Sequence, residues 1–143
     1  MTTPGSLSER AVFIDTSAFF AFLDHSDRWH AASRATFEQL TAERRPVFTS
    51  NLAVGETYAL AGIRLGRDIA FQWLSGLDVA VQYQDEGDHV RAFELLEQHH
   101  DKTFSYADAV AFALMERQGT KTAFAFDDDF RQLGQLVVLP TAP

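Results

Sequence analysis

The stretch that decides the fold is residues 11–23, which read AVFIDTSAFFAFL. The first four residues are apolar and favour a short buried strand, while the apolar run after Asp15 is long enough for two turns of helix. The whole stretch is interrupted by Asp15 and is too short to span a bilayer. It therefore predicts a buried strand that ends at Asp15 and leads directly into a helix.

Strands and helices alternate along the rest of the chain, and Gly66 and Gly119 mark helix ends. In the helix over 88–100 we expect the apolar residues Val90, Phe93, Leu95 and Leu96 to face inward. The predicted strands cover residues 11–15, 47–49, 78–83, 122–126 and 135–139, and the predicted helices cover 17–23, 27–43, 51–65, 68–74, 88–100 and 105–118. This alternation is typical of an α/β fold with a parallel sheet covered by helices on both faces.

The length and composition of the chain limit the classes of protein to which it can belong. The 143 residues suffice for one domain, which we expect to cover residues 11–140 after a flexible tail of residues 1–10. That tail is polar and lacks the apolar core of a secretion signal, and the chain has no cysteine, so disulfides and thiolate metal sites are excluded. We therefore expect a cytoplasmic protein. The formal net charge of −8 argues against a general nucleic-acid-binding module.

Four carboxylates stand alone among apolar residues: Asp15, Glu56, Asp108 and Asp127. A carboxylate in apolar surroundings is costly unless a positive group meets it, and no lysine or arginine lies within these stretches. Asp15 and Asp127 follow predicted strands, at whose carboxyl ends ligands gather in parallel sheets. A shared divalent cation would satisfy all four acids. Oxygen ligands without histidine or cysteine favour Mg²⁺ or Mn²⁺.

Each acid also has a simpler interpretation. Asp15 could be the N-cap of the helix that follows it, and Asp108 lies three residues after Ser105, which is the spacing of a capping box. A cap does not explain Glu56, which lies inside a helix, but this side chain could pair with a distant arginine or face solvent. Both a structural and a functional interpretation therefore stay open for these acids.

The last acid begins the run Asp127-Asp128-Asp129, and so short a turn cannot supply three ligands to one site. Asp127 is the first candidate because it follows a predicted strand. Asp129 is the second candidate, and Asp128 is expected to face solvent. The five histidines show no ligand spacing near the acids, and we assign them no catalytic role.

The ordered set of motifs resembles the PIN domain family, and in particular its VapC-type toxins, the ribonucleases of bacterial toxin–antitoxin pairs. The likeness covers residues 11–139, and its motifs are VFIDTS at 12–17, Glu56 in a helix, SYADA at 105–109 and AFDDDF at 125–130. The resemblance implies a three-layer α/β/α sandwich with a central, mainly parallel sheet. It also implies an endoribonuclease that uses one or two Mg²⁺ or Mn²⁺ ions to hydrolyse RNA phosphodiester bonds.

The resemblance further implies roles for individual residues. The matching positions are Asp15, Glu56, Asp108 and Asp127 for the four catalytic acids of the family, Asp129 for an accessory acid, and Ser17 for a small hydroxyl residue that supports the pocket. The metal ligands among them would be Asp15, Asp108, Asp127 and Asp129. With carboxylates and metal ions in place, no protein nucleophile is required.

RNA needs positive charge near the acidic pocket. Arg64 and Arg67, which flank Gly66, are candidates for a rim that binds phosphates, and Arg44-Arg45 are further candidates, although each could be an ordinary surface charge. The resemblance implies three partners: an RNA substrate, a small antitoxin bound along a hydrophobic groove, and a second copy of the chain in a homodimer. No membrane partner is expected.

Three other functions stay open at this stage. The chain could be a housekeeping RNA-processing nuclease of the same fold, which a neighbouring antitoxin gene would argue against. It could be a non-catalytic interaction protein of the same fold, for which the loss of an acid would be the signature. A haloacid-dehalogenase-like phosphatase would require a second aspartate two residues after Asp15, where Ser17 stands.

Overall fold

Five short strands and seven helices alternate between residues 9 and 141, the part of the chain that the computed structural model describes. The predicted flexible tail, residues 1–10, lies mostly outside this part, so the division into a tail and a domain of residues 11–140 stays a prediction. The strands are β1 Val12–Ile14, β2 Val47–Ser50, β3 Ala80–Gln82, β4 Thr122–Phe124 and β5 Val137–Leu139. The helices are α1 Thr16–Leu23, α2 His30–Ala42, α3 Asn51–Leu65, α4 Arg67–Ser75, α5 Glu86–Gln98, α6 Tyr106–Gln118 and α7 Asp129–Leu133.

All five strands form one parallel sheet in the order β3-β2-β1-β4-β5. The central strand β1 pairs with β2 through Phe13 and Phe48, and with β4 through Phe13 and Ala123. Because every strand runs in the same direction, all carboxyl ends lie at the same edge of the sheet. The segments that follow β1 and β4 are therefore neighbours at that edge.

The side chains of the sheet alternate between two apolar layers. Phe13 faces a core formed with α5, α6 and α7, where its ring stacks on that of Phe130 at 5.8 Å between centroids. Val12 and Ile14 face the opposite core, which Phe19 of α1 and Leu40 of α2 also fill. The chain is thus an α/β/α sandwich with three layers, and the predicted fold class is confirmed. No helix in residues 9–141 is long and apolar enough to cross a membrane.

Several predicted element ends were wrong, and for two helices the reason is a local turn or cap that overrides hydrophobic periodicity. The helix predicted from residue 27 begins at His30, since the Asp27 carboxylate accepts the N–H of Trp29 at 2.8 Å and holds a turn there. The helix predicted from residue 88 begins at Glu86, because Asp85 and Asp88 form a capping box. The strand predicted over 122–126 ends at Phe124, and α7 was not predicted at all.

The inward face predicted for α5 was half wrong. Leu95 is buried and Leu96 packs against the core, but Val90 and Phe93 are exposed by 52% and 62%. The buried face of α5 runs instead through Ala92 and Leu95 and packs on α6. An ion pair between Asp88 and Arg117 of α6, 2.9 Å long, holds this helix orientation and leaves the other face to solvent.

Candidate active site

One cleft of about 770 Å³ collects every acid that the sequence singled out. It opens where the segments after β1 and β4 meet the first turns of α1 and α6. Among the residues that line it are Asp15, Ser17, Glu56, Asp108, Asp127 and Asp129. Residues that are far apart in the sequence are thus brought to one place by the parallel sheet. Asp27 and Asp128 line the cleft as well.

Asp15 is held at the centre of the cleft by the first turn of α1. It directly follows β1 and is the N-cap of α1, where its Oδ2 accepts the N–H of Ser17 at 3.1 Å and the Ser17 hydroxyl at 2.6 Å. The Ser17 oxygen in turn accepts the N–H of Phe126 at 2.9 Å. The capping interpretation of Asp15 is therefore correct, and it places the carboxylate in the cleft.

Glu56 reaches the cleft from the middle of α3. The Thr16 hydroxyl donates to the backbone oxygen of Ala53 at 3.3 Å and lies 3.5 Å from Glu56 Oε2. Within residues 9–141 Glu56 forms no ion pair, so the distant arginine that could have explained it is not found there. The Glu56 side chain is exposed where it lines the cleft, and Leu60, one turn further along α3, lines the same cleft.

Asp108 lies in the first turn of α6 and forms the predicted capping box with Ser105. The Ser105 N–H donates to Asp108 Oδ2 at 2.9 Å, and the Asp108 N–H donates to the Ser105 hydroxyl at 3.0 Å. One carboxylate oxygen is thus held by the backbone while the side chain lines the cleft. Asp108 therefore both belongs to the capping box of α6 and lines the cleft.

Asp127 and Asp129 both lie in the cleft but meet different partners. Contrary to the prediction, Asp127 does not directly follow a strand, because β4 ends three residues earlier at Phe124. The carboxylate of Asp127 acts on Asp15 and Glu56, whereas that of Asp129, at the start of α7, acts on Asp108. Asp128 is exposed.

Burial, and after it the charge of neighbouring carboxylates, weakens the ionisation of four acids in the cleft. Burial and then the charge of Asp127 raise the pKa of Asp15 to about 6, against the hydrogen bonds from Ser17 that lower it. Burial and the neighbouring Asp129 raise the pKa of Asp108 to about 7. Burial first, and nearby carboxylates second, also raise the pKa values of Glu56 and Asp127. A group of strongly perturbed acids in a cleft is typical of a functional site.

The donor set suits a hard cation, since all candidate ligands are carboxylate oxygens. A divalent ion would also relieve the repulsion between the carboxylates, which adds to burial in raising the pKa values of Asp15, Asp108 and Asp127. Within residues 9–141, however, no three acidic or histidine side chains stand close enough together to hold an ion as they are placed. The cleft therefore gathers carboxylates of the kind that bind a hard cation, but their present placement forms no complete set of ligands within residues 9–141.

The structure adds cleft residues that the sequence did not point to. Arg28, Trp29 and Arg131 line the cleft, as does Thr16. Arg131 had a weak signal, since it lies two residues after Asp129, but Trp29 lies in a turn that hydrophobic periodicity had assigned to a helix. Their place in the cleft depends on contacts between distant parts of the chain.

The arginines that the sequence proposed as a phosphate rim do not line the cleft. The Arg64 guanidinium lies 5.6 Å from the ring centre of Phe20, which does line it, so Arg64 is close to the mouth. Arg67 lies over Phe71 on α4, at 5.3 Å. The pair Arg44-Arg45 precedes β2 and therefore lies at the amino edge of the sheet, opposite the cleft. Whether any of them binds RNA stays a prediction.

Several known proteins are similar to this chain in sequence, in fold, or in both. The 23S rRNA-specific endonuclease VapC20 of Mycobacterium tuberculosis is 33% identical over 133 residues, which cover 90% of this chain and 98% of that protein. The crystal structure of VapC20, described as a sarcin–ricin loop cleaving toxin, superposes with a TM-score of 0.77 at 31% identity over 87% of this chain and 96% of that one. A toxin–antitoxin complex from Klebsiella pneumoniae superposes with a TM-score of 0.66 at 15% identity, over 88% and 95% of the two chains, which supports the fold alone.

The match to a family agrees with the geometry. Residues 12–136 match the PIN domain, and this span contains Asp15, Glu56, Asp108, Asp127 and Asp129. The same acids line one cleft at the carboxyl edge of a parallel sheet. The chain therefore belongs to the PIN domain family.

Proposed function

We propose that this chain is a metal-dependent endoribonuclease and the toxin of a toxin–antitoxin pair. The observation that carries the proposal is the gathering of five acids in one cleft, in a chain that is 33% identical to a 23S rRNA-specific endonuclease. Membership of the PIN domain family also removes the phosphatase alternative. A non-catalytic member would have no need to keep all five acids together, because burial raises the pKa values of four of them.

We assign different roles to the residues of the cleft. Asp15, Asp108, Asp127 and Asp129 would hold one or two Mg²⁺ or Mn²⁺ ions, and Glu56 at the mouth would orient a water molecule or complete the set. When bound, the ions supply a hydroxide nucleophile and stabilise the charge on the leaving oxygen. Ser17 and the Asp108 capping box keep two of the carboxylates in place before any ion arrives.

We propose 23S rRNA as the substrate, and its sarcin–ricin loop as the first segment to test, because the relative VapC20 acts there. With ribosomal RNA as the substrate, we would expect the activity in the cytoplasm. The ions would compensate for the acidic character of the chain, which has a formal net charge of −8.

An apolar groove on the opposite face from α6 offers a place for the antitoxin. It has a volume of about 440 Å³, lies between α1, α2 and α4, and is lined by apolar side chains that include Phe19, Phe22, Phe37, Ile69 and Trp73. Phe22 and Ile69 are 41% and 42% exposed, which is costly for large apolar side chains unless a partner covers them. We propose that an amphipathic segment of a small antitoxin binds in this groove.

A second apolar surface suits a second copy of the chain. Val90 and Phe93 of α5 are exposed by 52% and 62% in the layer opposite the groove. Their separation from the groove allows both partners to bind at once. We propose that the chain forms a homodimer through this surface of α5.

Purified protein should cut 23S rRNA at discrete sites in the presence of Mn²⁺ or Mg²⁺ and not in EDTA. Asp108→Asn should lower the cleavage rate by roughly 100-fold or more, because even the partners of metal ligands contribute 10- to 100-fold. The asparagine retains the oxygen that accepts the Ser105 N–H, so the fold should be kept. Primer extension across the RNA measures the cut sites and their rates.

The matched control for this substitution is Asp68→Asn, which removes an exposed aspartate from the first turn of α4. It should cleave like the wild type. Equal cleavage by Asp108→Asn and wild type would overturn the assignment of the cleft, and no cleavage by folded wild-type protein free of antitoxin would count against the ribonuclease itself.

The metal-free protein should lose stability as the pH rises from about 4 to about 8. The pKa values of Asp15 and Asp108 are raised to about 6 and about 7, so the folded chain binds more protons than the unfolded chain in this window. Ionisation therefore costs stability, by up to a few kcal/mol, since one pKa unit corresponds to about 1.4 kcal/mol. The free energy of unfolding in EDTA, measured at several pH values, tests this.

Asp108→Asn should flatten this pH dependence, because it removes the acid with the highest of these pKa values. Adding Mn²⁺ at the alkaline end should restore stability to the wild type and much less to Asp108→Asn. A wild-type stability that increases with pH across this window in EDTA would contradict the electrostatic account of the cleft.

Phe22→Glu should prevent the antitoxin, which we expect a neighbouring gene to encode, from co-purifying with this chain. A carboxylate in the middle of the groove would weaken binding by roughly 30-fold or more, the scale of an interface hot spot. Phe93→Glu makes the same change on α5 and serves as the control. If Phe22→Glu bound the antitoxin as tightly as the wild type, the groove would not be its site.

Phe93→Glu should instead convert the dimer to a monomer, for which Phe22→Glu is the control. The introduced charges would face each other across the interface of α5 and would have to lose their water. Light scattering of the chain without antitoxin measures the mass. A monomeric wild type, or a dimer that tolerates Phe93→Glu, would rule out this surface.

A further inference from the structure

A stack of planar side chains stands at the cleft beside the acids. The Trp29 indole packs against the Phe126 ring with 5.3 Å between ring centres and 10° between their planes. The Arg28 guanidinium lies 4.6 Å from the centre of the Trp29 ring. All three side chains line the cleft, and Trp29 is 40% exposed. The metal chemistry proposed above uses none of them.

The turn that carries Trp29 is braced on both sides. The N–H of Trp29 donates to Asp27 Oδ1 at 2.8 Å, and the backbone oxygen of Trp29 accepts the N–H of Ser33 at 2.8 Å. The next residue, His30, places its Nδ1 at 3.0 Å from the backbone oxygen of Ala21 in α1. The indole is therefore presented at the cleft by a defined backbone and not by a loose loop.

The stack is also joined to the candidate catalytic acids. Phe126 immediately precedes Asp127, and its N–H donates to the Ser17 hydroxyl at 2.9 Å, which in turn donates to Asp15. On its other side Phe126 contacts the buried ring of Phe124. The position of the Trp29 ring relative to the carboxylates is thus determined by the same contacts that build the site.

The positive charge of Arg28 is a second reason to consider this residue. Arg28 and Arg131 are the cations that line the cleft within the described part of the chain. Arg131 lies 3.4 Å from each of two backbone oxygens, those of Ala125 and Pro140. Arg28 forms no ion pair within residues 9–141, even though Asp27 is its neighbour, and rests on an aromatic face instead.

Beside a site that cleaves RNA, an exposed tryptophan ring and a planar arginine guanidinium can bind the bases of the RNA. Proteins recognise RNA mostly through unpaired bases, which stack on aromatic rings or on guanidinium planes. The arginine adds positive charge for the neighbouring phosphate, and this charge is scarce in the cleft.

We propose that the Arg28–Trp29 pair is a stacking platform for one unpaired base of the RNA next to the phosphodiester that is cut. The inference rests on the proposed ribonuclease function and adds the side chains that position its substrate. An incoming base stacks on this pair, next to the contact between the Trp29 and Phe126 rings. These side chains bind the RNA and take no part in the bond-breaking step.

Tryptophan fluorescence tests the contact directly, because the chain has only two tryptophans, Trp29 and Trp73. Trp73→Phe leaves Trp29 as the single fluorophore, and Trp29→Phe leaves Trp73, which lies in the apolar groove on α4. Both variants also carry Asp108→Asn to prevent cleavage. The probe is a synthetic RNA hairpin with the sarcin–ricin loop, or an RNA that spans the cut if it maps elsewhere. Titration should quench Trp29 saturably and leave Trp73 unchanged.

Kinetics of otherwise unchanged protein provide the second test. Trp29→Ala should lower kcat/KM for the same RNA by roughly 5- to 100-fold through KM, the scale of one lost stacking contact, while Trp29→Phe should retain most of the activity. Arg28→Lys keeps the charge but loses the planar guanidinium, so its kcat/KM should lie between that of the wild type and that of Arg28→Gln. Thermal unfolding checks that the exposed Arg28 variants are folded.

The outcomes separate this inference from the proposed function. If wild-type protein cleaves RNA and both Trp29→Ala and Arg28→Gln match its kcat/KM, the platform is overturned and the ribonuclease stands. Quenching of Trp73 alone, or of neither tryptophan, also overturns the platform. If the wild type fails to cleave, the catalytic proposal is lost and the platform beside a cut phosphodiester is lost with it, even if saturable quenching of Trp29 shows that RNA binds there.

Discussion

Two hydrogen bonds of one serine hydroxyl hold the site of this protein together. Ser17 Oγ donates to Asp15 at 2.6 Å and accepts the N–H of Phe126 at 2.9 Å. It thereby links the start of α1 to the segment after β4, which are neighbours only because β1 and β4 pair in parallel. Without this oxygen, the Phe126 N–H and one oxygen of Asp15 would each lose a partner in a half-buried place, which is costly. Asp127 and the Trp29 stack both depend on where Phe126 lies.

The charged carboxylates of the cleft destabilise the folded protein, and the rest of the fold offsets this cost. Raised pKa values at Asp15 and Asp108 mean that their charged forms are less stable here than in water. The apolar core contributes in the opposite direction, with Phe13, Phe48 and Phe124 fully buried at the sheet. Such a balance is common where a binding site needs groups that are poor for stability. A cation would relieve the repulsion and so couple its own binding to the stability of the fold.

The parallel sheet also separates the surfaces of the molecule. Its carboxyl edge carries the acids and the Arg28–Trp29 pair, while the groove between α1, α2 and α4 and the exposed side of α5 lie in opposite helical layers. A protein partner on either helical layer therefore need not enter the cleft. Phe19 of α1 links the groove to the core below Asp15, since it packs in the same apolar cluster as Ile14.

By itself, the sequence determined the elements whose signals are local. The run 11–23 specified a strand, a capping aspartate and a helix, and Ser105 with Asp108 specified the start of α6, because caps and short apolar runs act within a few residues. Only the tertiary structure decided that Val90 and Phe93 face solvent, that Arg64 and Arg67 stay off the cleft, and that Trp29 stacks on Phe126. These facts depend on the strand order β3-β2-β1-β4-β5 and on how helices pack across it, and no periodicity in the chain encodes such contacts between distant residues.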